Sequence, residues 1–351
     1  MKIKILSFPS RHPYVSKFNI GKIEFVNPDS DYFSDPHKCS KEYLNKNHPP
    51  KSYDIVHIHF SFDMIPLKDF ENLLKNFRKN KKPIVWTSHS KDSQRIKNYG
   101  KGKYQRLLFK YADQIISPTR GCAKYLISKY GKHENDIKII PLGFIANPDY
   151  VKKIGKKIKK NKHLFTMLIG EFRENKEFIQ SIINFLQCSE LKKAKLQLIF
   201  KPIYLYKKNC ENIKLEMLQF HNIIQHPRII TISLPEISNE ILIKAFLNSH
   251  AIILPYKWGT HSGQIELAKD CGCHVVTSNV GFYKEQWDKV CLWDVLDKKY
   301  SEFPKRYTNT LINIYHKKSL KPIGNSRKTE FKKIFKDHLK IYKNLLSKNT
   351  Y

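Results

Sequence analysis

The residues best suited to chemistry lie in the segment Leu254-Pro-Tyr-Lys-Trp-Gly-Thr-His-Ser-Gly-Gln-Ile-Glu-Leu-Ala268. An apolar run ends there and a helical pattern starts. Thr260, Ser262 and Gly263 therefore fall at a helix N-terminus, where unpaired backbone N–H groups can bind phosphate. The same residues also make an ordinary capped helix with Ser262 as N-cap, and position alone leaves both readings open. A second candidate is Leu168-Ile-Gly-Glu-Phe-Arg-Glu-Asn-Lys176, in which Gly170 ends an apolar run. Arg173 and Lys176 lie three apart and can share a helical face to grip a diphosphate, although a lone basic pair is more often simply solvated.

Histidines supply the third set. Asp54-Ile-Val-His-Ile-His59 and Trp86-Thr-Ser-His89 each close an apolar run. The alternation is read as sending His57 and His59 to opposite faces of a sheet, with His59 and His89 opening onto one crevice at adjacent strand ends. A single histidine is more often structural than functional, so the argument rests on the pair. Asp29-Ser-Asp31 has the spacing of a metal-binding pair but sits in a turn-rich stretch, and it is read as turn chemistry. Cys271-Gly-Cys273-His274 lacks both a two-residue spacer and a second ligand pair, so it reads as small buried thiols at a helix-to-strand turn. No metal site is expected. The sequence holds no Gly-x-Gly-x-x-Gly after the first strand, no Walker loop and no Gly-x-Ser-x-Gly elbow, which weighs against a dinucleotide dehydrogenase, a P-loop NTPase and an α/β-hydrolase.

The elements that must position these residues alternate in the rhythm of a parallel α/β sheet. Strands are expected at 2–8, 22–26, 53–60, 83–88, 113–117 and 138–140, then at 164–170, 195–200, 229–232, 251–255 and 274–278. Between the later strands, helices are expected at 175–188, 212–220, 236–247 and 263–270. A lysine-rich stretch at 151–163 reads as an exposed linker. The expected organisation is an N-terminal domain over 1–150, that linker, a C-terminal domain over 164–318, and a tail over 319–351. In the tail, Phe331, Ile334, Phe335, Leu339, Tyr342, Leu345 and Leu346 share a helical face that must pack against something.

At 351 residues the chain is long enough for two cores. With 41% hydrophobic residues it is globular rather than disordered. Seven cysteines without framework spacing argue against a disulfide scaffold. No apolar run approaches the roughly 18 residues that would cross a bilayer, and the first residues are too short in apolar content for a signal peptide, so a cytoplasmic protein is expected. The formal net charge of +33 is mostly lysine and is spread along the chain. Without a recognition module it points away from nucleic acid and toward anionic lipid or phosphate-bearing ligands. The segment 66–82 pairs an apolar stripe with Lys68, Lys75, Arg78, Lys79, Lys81 and Lys82, which suits peripheral attachment to an anionic membrane, or a core-packed helix with a solvated basic face.

Taken in order, the segments 54–59, 87–89, 112–117, 140–143, 170–176 and 254–266 resemble family 4 of the glycosyltransferases, which are GT-B enzymes that usually retain anomeric configuration. The resemblance implies an α/β fold of two Rossmann-like doubly wound parallel-sheet domains facing a cleft, with a C-terminal helix returning to the N-domain. It implies a donor-binding set of Gly170, Gly259, Thr260, His261, Ser262, Gly263 and Glu266, in which the loop 259–263 and the helix start hold the diphosphate and Glu266 holds the donor ribose. Arg173 and Lys176 would neutralise the departing diphosphate, and His89 would face the transferred sugar. Arg11, His12, Tyr14 and His59 would line the acceptor side. Two positions depart from the family: Trp258 stands where a glutamate is frequent, and Glu171 stands where an arginine commonly follows Gly170, leaving Arg173 as its substitute.

The expected activity is transfer of a sugar from a nucleotide diphosphate-sugar, UDP foremost, to an acceptor hydroxyl, with retention, without metal or other cofactor, and in glycan biosynthesis. The partners expected are that donor and a sugar or glycoconjugate acceptor. Other GT-B activities, such as an inverting transferase or a nucleotide-sugar epimerase, and a non-catalytic binding protein on the same fold are the alternatives.

Overall fold

The computed structural model describes residues 2–29, 36–60, 65–89, 102–131, 136–170, 175–202, 218–293 and 303–348. The chain divides into two compact units, the first made of Met1–Gly143 with Lys328–Tyr351 and the second of Phe144–Arg327. Arg173, Glu171, Asp31 and most of the helix expected at 212–220 lie outside the described residues.

In the first unit the strands are β1 (Ile3–Phe8), β2 (Ile23–Phe25), β3 (Ile55–His59), β4 (Ile84–Thr87), β5 (Gln114–Ser117) and β6 (Ile137–Ile139). They form a parallel sheet in the order β2-β1-β3-β4-β5-β6. The central strands β3 and β4 are buried on both faces because helices cover both sides of a parallel sheet. Those helices are α1 (Pro13–Ser16), α2 (Lys41–Asn47), α3 (Leu67–Lys79), α4 (Lys103–Tyr111) and α5 (Arg120–Tyr130). In α3, Phe70, Leu73, Leu74 and Phe77 are at most 2% exposed, and burial of each contributes about 1.5–3 kcal/mol. Its apolar stripe is therefore spent on the core, and only its basic face meets solvent.

The second unit repeats the plan with β7 (Asn161–Gly170), β8 (Lys195–Phe200), β9 (Ile229–Ser233), β10 (Ser249–Leu254), β11 (His274–Ser278) and β12 (Val290–Trp293). Their order is β12-β11-β10-β7-β8-β9, again parallel. The helices are α6 (Pro148–Gly155), α7 (Phe178–Gln187), α8 (Asn239–Asn248), α9 (Gly263–Cys271), α10 (Tyr283–Gln286) and α11 (Phe303–His316). One core joins β7 and β8 to α7 and α11 through Phe165, Phe185, Leu198 and Leu311. The opposite core joins β10 and β11 to α6, α8 and α9 through Val151, Phe246, Ile252 and Ile265. The alternation on β10, with Ile253 in one core and Ile252 and Leu254 in the other, is the period-two rule of a strand covered on both faces.

Helix α12 (Gly324–Lys348) begins in the second unit, and its residues from Lys328 onward belong to the first. There Phe331, Ile334 and Tyr342 are buried, with the Phe331 ring 5.6 Å from Phe18.

The linker expected at 151–163 is not a linker. Its first part is α6, whose Val151 is 1% exposed and packs with Ile154 and Ile158, and its last residues begin β7. The spacing of Val151, Ile154 and Ile158 is helical, but lysines on the other face dilute the apolar content that the linker reading relied on. One of those lysines has a structural task. Lys160 Nζ donates to Cys271 O at 3.2 Å and to Gly272 O at 2.8 Å, placing a cation at the negative end of α9.

Candidate functional site

In each sheet the chain reverses its direction of winding at one place, between β1 and β3 in the first unit and between β7 and β10 in the second. Crevices for ligands open at such switch points, beyond the carboxyl ends of the strands. The described candidate residues gather at these two places.

At the switch point of the second unit, Gly170 ends β7 with φ of 62°, a left-handed conformation that glycine adopts without strain. The segments after β7 and β10 are then tied together. Lys176 and Tyr256 form an antiparallel bridge, Glu177 N donates to Pro255 O at 2.7 Å, and Lys257 N donates to Asn175 O at 2.8 Å. Lys176 Nζ donates to Leu168 O at 3.1 Å and to Ile169 O at 2.6 Å, so its charge sits at the carboxyl end of β7.

The loop 259–263 leads into α9 and is braced from α10. Gly259 has no room for a side chain, since a Cβ would stand 2.0 Å from the Tyr283 hydroxyl. Gln286 grips the loop end, with Oε1 accepting from Ser262 N at 2.8 Å and Nε2 donating to Ser262 O at 3.2 Å. Ser262 caps the helix, its Oγ accepting from Gln264 N at 3.2 Å and lying 3.1 Å from the Tyr256 hydroxyl. Thr260, His261 and Ser262 are 2%, 5% and 6% exposed, whereas Gly263 is exposed. Among the described residues the Gly263 N–H has no protein partner. The two readings of this helix start therefore hold together: it is capped, and one N–H still points outward from the positive end of the helix.

Glu266 lies one turn into α9. It is 3% exposed, Oε2 accepts from Arg327 Nη2 at 2.6 Å, and Oε1 accepts from Gln286 Nε2 at 3.2 Å. Each oxygen takes one protein donor, so the carboxylate is oriented from two sides by Arg327 and Gln286. Its basic partner lies 61 residues away in sequence. Next to it Asp270 is buried, and burial raises its carboxyl to about 6 against the opposing pull of Arg327.

In the first unit His89, Tyr14, His59 and Phe60 meet at the ends of β1, β3 and β4. The Tyr14 ring is 4.4 Å from His89 and 5.6 Å from His59, and Phe60 stacks on His89 at 4.1 Å. Phe60 carries φ of 71°, a strained conformation for an aromatic residue and one that tends to mark functional turns. Arg11 and His12 are exposed, and His12 Nδ1 accepts from Tyr14 N at 3.2 Å, capping α1. His57 and His59 share one face, with rings stacked at 3.9 Å, as residues two apart on a strand must. His57 lies between Tyr342 Oη at 2.6 Å and Thr87 Oγ1 at 2.8 Å. Burial holds His57 and His59 well below the usual imidazole range, the neighbouring rings adding to it.

Phe60, Gln286, Asp270 and Arg327 were not singled out from sequence. A lone arginine in a lysine-rich tail is the one signal that pointed to Arg327. Trp258 is half-buried, and its carbonyl accepts from Asn175 Nδ2 at 3.5 Å. Cys271 and Cys273 are fully buried free thiols whose pKa values burial raises. Among the described residues no group of His, Cys, Asp and Glu is placed to hold a metal ion.

Two parallel sheets with candidate residues at both switch points define the GT-B class. Residues 25–146 match the family model described as Glycosyltransferase Family 4. Among solved structures, sucrose-phosphate synthase from Thermosynechococcus elongatus is similar at 14% identity and a TM-score of 0.63, over 99% of this chain and 100% of that one. HepE from Anabaena in complex with UDP is similar at 13% identity and a TM-score of 0.58, over 99% and 100%. The pneumococcal O-GlcNAc transferase GtfA, in complex with UDP and GlcNAc, is similar at 13% identity and a TM-score of 0.57 over 85% of this chain, which spans 59% of that one. No curated protein matches the sequence.

Proposed function

We propose that the protein transfers a sugar from a nucleotide diphosphate-sugar, with UDP as the first nucleotide to test, to an acceptor hydroxyl. The observation that carries this reading is the start of α9, where a braced, glycine-containing loop leaves the Gly263 N–H outward at the switch point of the second sheet. An anion there is stabilised by the helix dipole, and Lys176 adds a cation at the end of β7. The solved structures of HepE and GtfA carry UDP on the same fold, which supports the choice of base.

In this reading the loop 259–263 and Lys176 hold the diphosphate, with Arg173 as a further cation. As the sugar–phosphate bond breaks, negative charge grows on the departing diphosphate, and fixed donors aimed at it lower the barrier. His89, held between Tyr14 and Phe60, faces the transferred sugar, and Arg11, His12 and Tyr14 line the acceptor side with retention of configuration. His59 is 1% exposed and supports this aromatic cluster from below rather than touching acceptor. Glu266 orients α9 through Arg327 and Gln286. The basic excess suits phosphate-bearing ligands or an anionic membrane, and since the apolar face of α3 is buried, contact through that helix is by charge alone.

The test is release of UDP from UDP-glucose, UDP-galactose and UDP-N-acetylglucosamine, with and without a panel of sugar acceptors. Acceptor-stimulated release from one donor is expected. Absence of release from these and from the GDP-, ADP-, TDP- and CMP-sugars, in a protein that binds the nucleotides, points instead to a binding protein on this fold.

A further inference from the structure

The chain passes between the units twice, at Gly143–Phe144 and at Arg327–Lys328. One carboxylate holds the second-unit side of both passages. Asp270 Oδ2 accepts the backbone N–H of Ile145 at 2.8 Å and of Ala146 at 2.9 Å, and Asp270 Oδ1 accepts Nε of Arg327 at 2.6 Å. Arg327 Nη2 continues to Glu266 Oε2 at 2.6 Å, and Glu266 and Asp270 stand four apart on one face of α9. Asp270, Glu266 and Arg327 are 3%, 3% and 1% exposed.

Stability alone does not account for this arrangement. Two buried carboxylates sharing one guanidinium are costly to desolvate, and well-packed apolar side chains of similar volume often do as well or better. What the arrangement supplies is geometry. A carboxylate accepting two successive backbone N–H groups fixes the direction of the first passage, and the planar guanidinium, gripped by two acceptors, fixes the start of α12. Both are fixed to the same helix, whose other end is the start at Gly263.

We propose that Asp270 is a positioning residue that anchors both chain passages to α9, so that displacement of that helix on donor binding and movement at the two passages are mechanically linked. The link to the donor rests on the nucleotide-sugar reading above; the anchor itself does not.

Hydrogen exchange read by mass spectrometry on the full-length protein tests both parts. Without ligand, Asp270→Asn is expected to speed exchange at least tenfold in peptides covering 144–147 and 324–330 together, while β7 and β8 are unchanged. Arg327→Lys is expected to speed it mainly at 324–330. An Asp270→Asn protein that loosens only one passage, or neither, overturns the anchor. Should Asp270→Asn not fold, the wild type decides, since a shared anchor requires the two passages to open with one common rate, and independent opening rates overturn it. Saturating UDP is then added. Slower exchange at both passages in wild type, lost in Asp270→Asn, is the expected result, and a UDP complex with unchanged exchange at the passages overturns the linkage. Failure of UDP to bind at all counts against the choice of nucleotide and leaves the anchor to the ligand-free comparison.

Discussion

Glu266, Asp270 and Arg327 form a buried network centred on the Arg327 guanidinium. Glu266→Ala keeps the Arg327–Asp270 pair but leaves Arg327 Nη2 without this acceptor in a buried site, so it should lower unfolding free energy by about 1–3 kcal/mol in denaturant titration. Glu266→Gln, which keeps an acceptor oxygen for Arg327, should cost less. An unchanged Glu266→Ala midpoint contradicts the buried pair. The buried histidines make a separate statement about pH. Burial, partly offset by the Ile334 carbonyl, holds His338 down at about 4 from an ordinary 6.5, and His57 and His59 are lowered as well. A group with a lowered folded-state value contributes stability that is fully present above the unfolded value and is lost as pH falls toward the folded one. For His338 that loss reaches about 3 kcal/mol near pH 4. Asp270 acts the other way. Its raised value contributes stability that is present below about pH 4 and is lost as pH rises through about 6. Three histidines outweigh one carboxyl, so unfolding free energy should climb between pH 4.5 and 6.5, and more steeply in Asp270→Asn; a flat or falling wild-type curve contradicts this account.

At the scale of elements, the start of α9 offers a substitution that removes one donor and little else. Gly263 occupies the first helical position, where proline is well accommodated, and Ser262 before it has φ of −137° and ψ of 124°, a conformation that precedes proline readily. A Cβ there would meet the Ile145 side chain at 3.8 Å, an ordinary contact. Gly263→Pro should therefore fold, with unchanged circular dichroism, and lose one hydrogen bond to phosphate. Such charge-assisted bonds contribute about 1.5–3 kcal/mol, so calorimetric UDP affinity should fall roughly ten- to a hundred-fold, while Gly263→Ala, which keeps the N–H, stays near wild type. Equal affinity for Gly263→Pro and wild type removes the helix start from the donor site. The strands and helices of the switch points were legible because β3, β7 and β10 are rich in apolar residues and are closed by glycine, proline or histidine. What was not legible depended on distance or dilution. Strand β12 is four residues long, α6 hides its stripe among lysines, and Glu266 pairs with Arg327, which no local spacing brings near. The stacking of His57 on His59 was open to derivation from strand periodicity, which places residues two apart on the same face.

For the whole molecule, the two parallel sheets and the family match over 25–146 leave one question that governs the others, namely whether the second unit takes a nucleotide and which one. A ligand that binds only the folded protein at 100 times its dissociation constant adds about 2.7 kcal/mol of stability, enough to read as a shift of the melting midpoint. The direct measurement is a thermal-shift panel on the full chain with UDP, GDP, ADP, TDP and CMP, and with the corresponding nucleotide-sugars. One nucleoside diphosphate, UDP foremost, and its sugars should raise the midpoint in a dose-dependent way, while the monophosphate of the same base should raise it less because it lacks the second phosphate group that the proposed site at Gly263 and Lys176 would hold. A cooperative melt that no nucleotide in the panel displaces would contradict a nucleotide-sugar donor site in this protein.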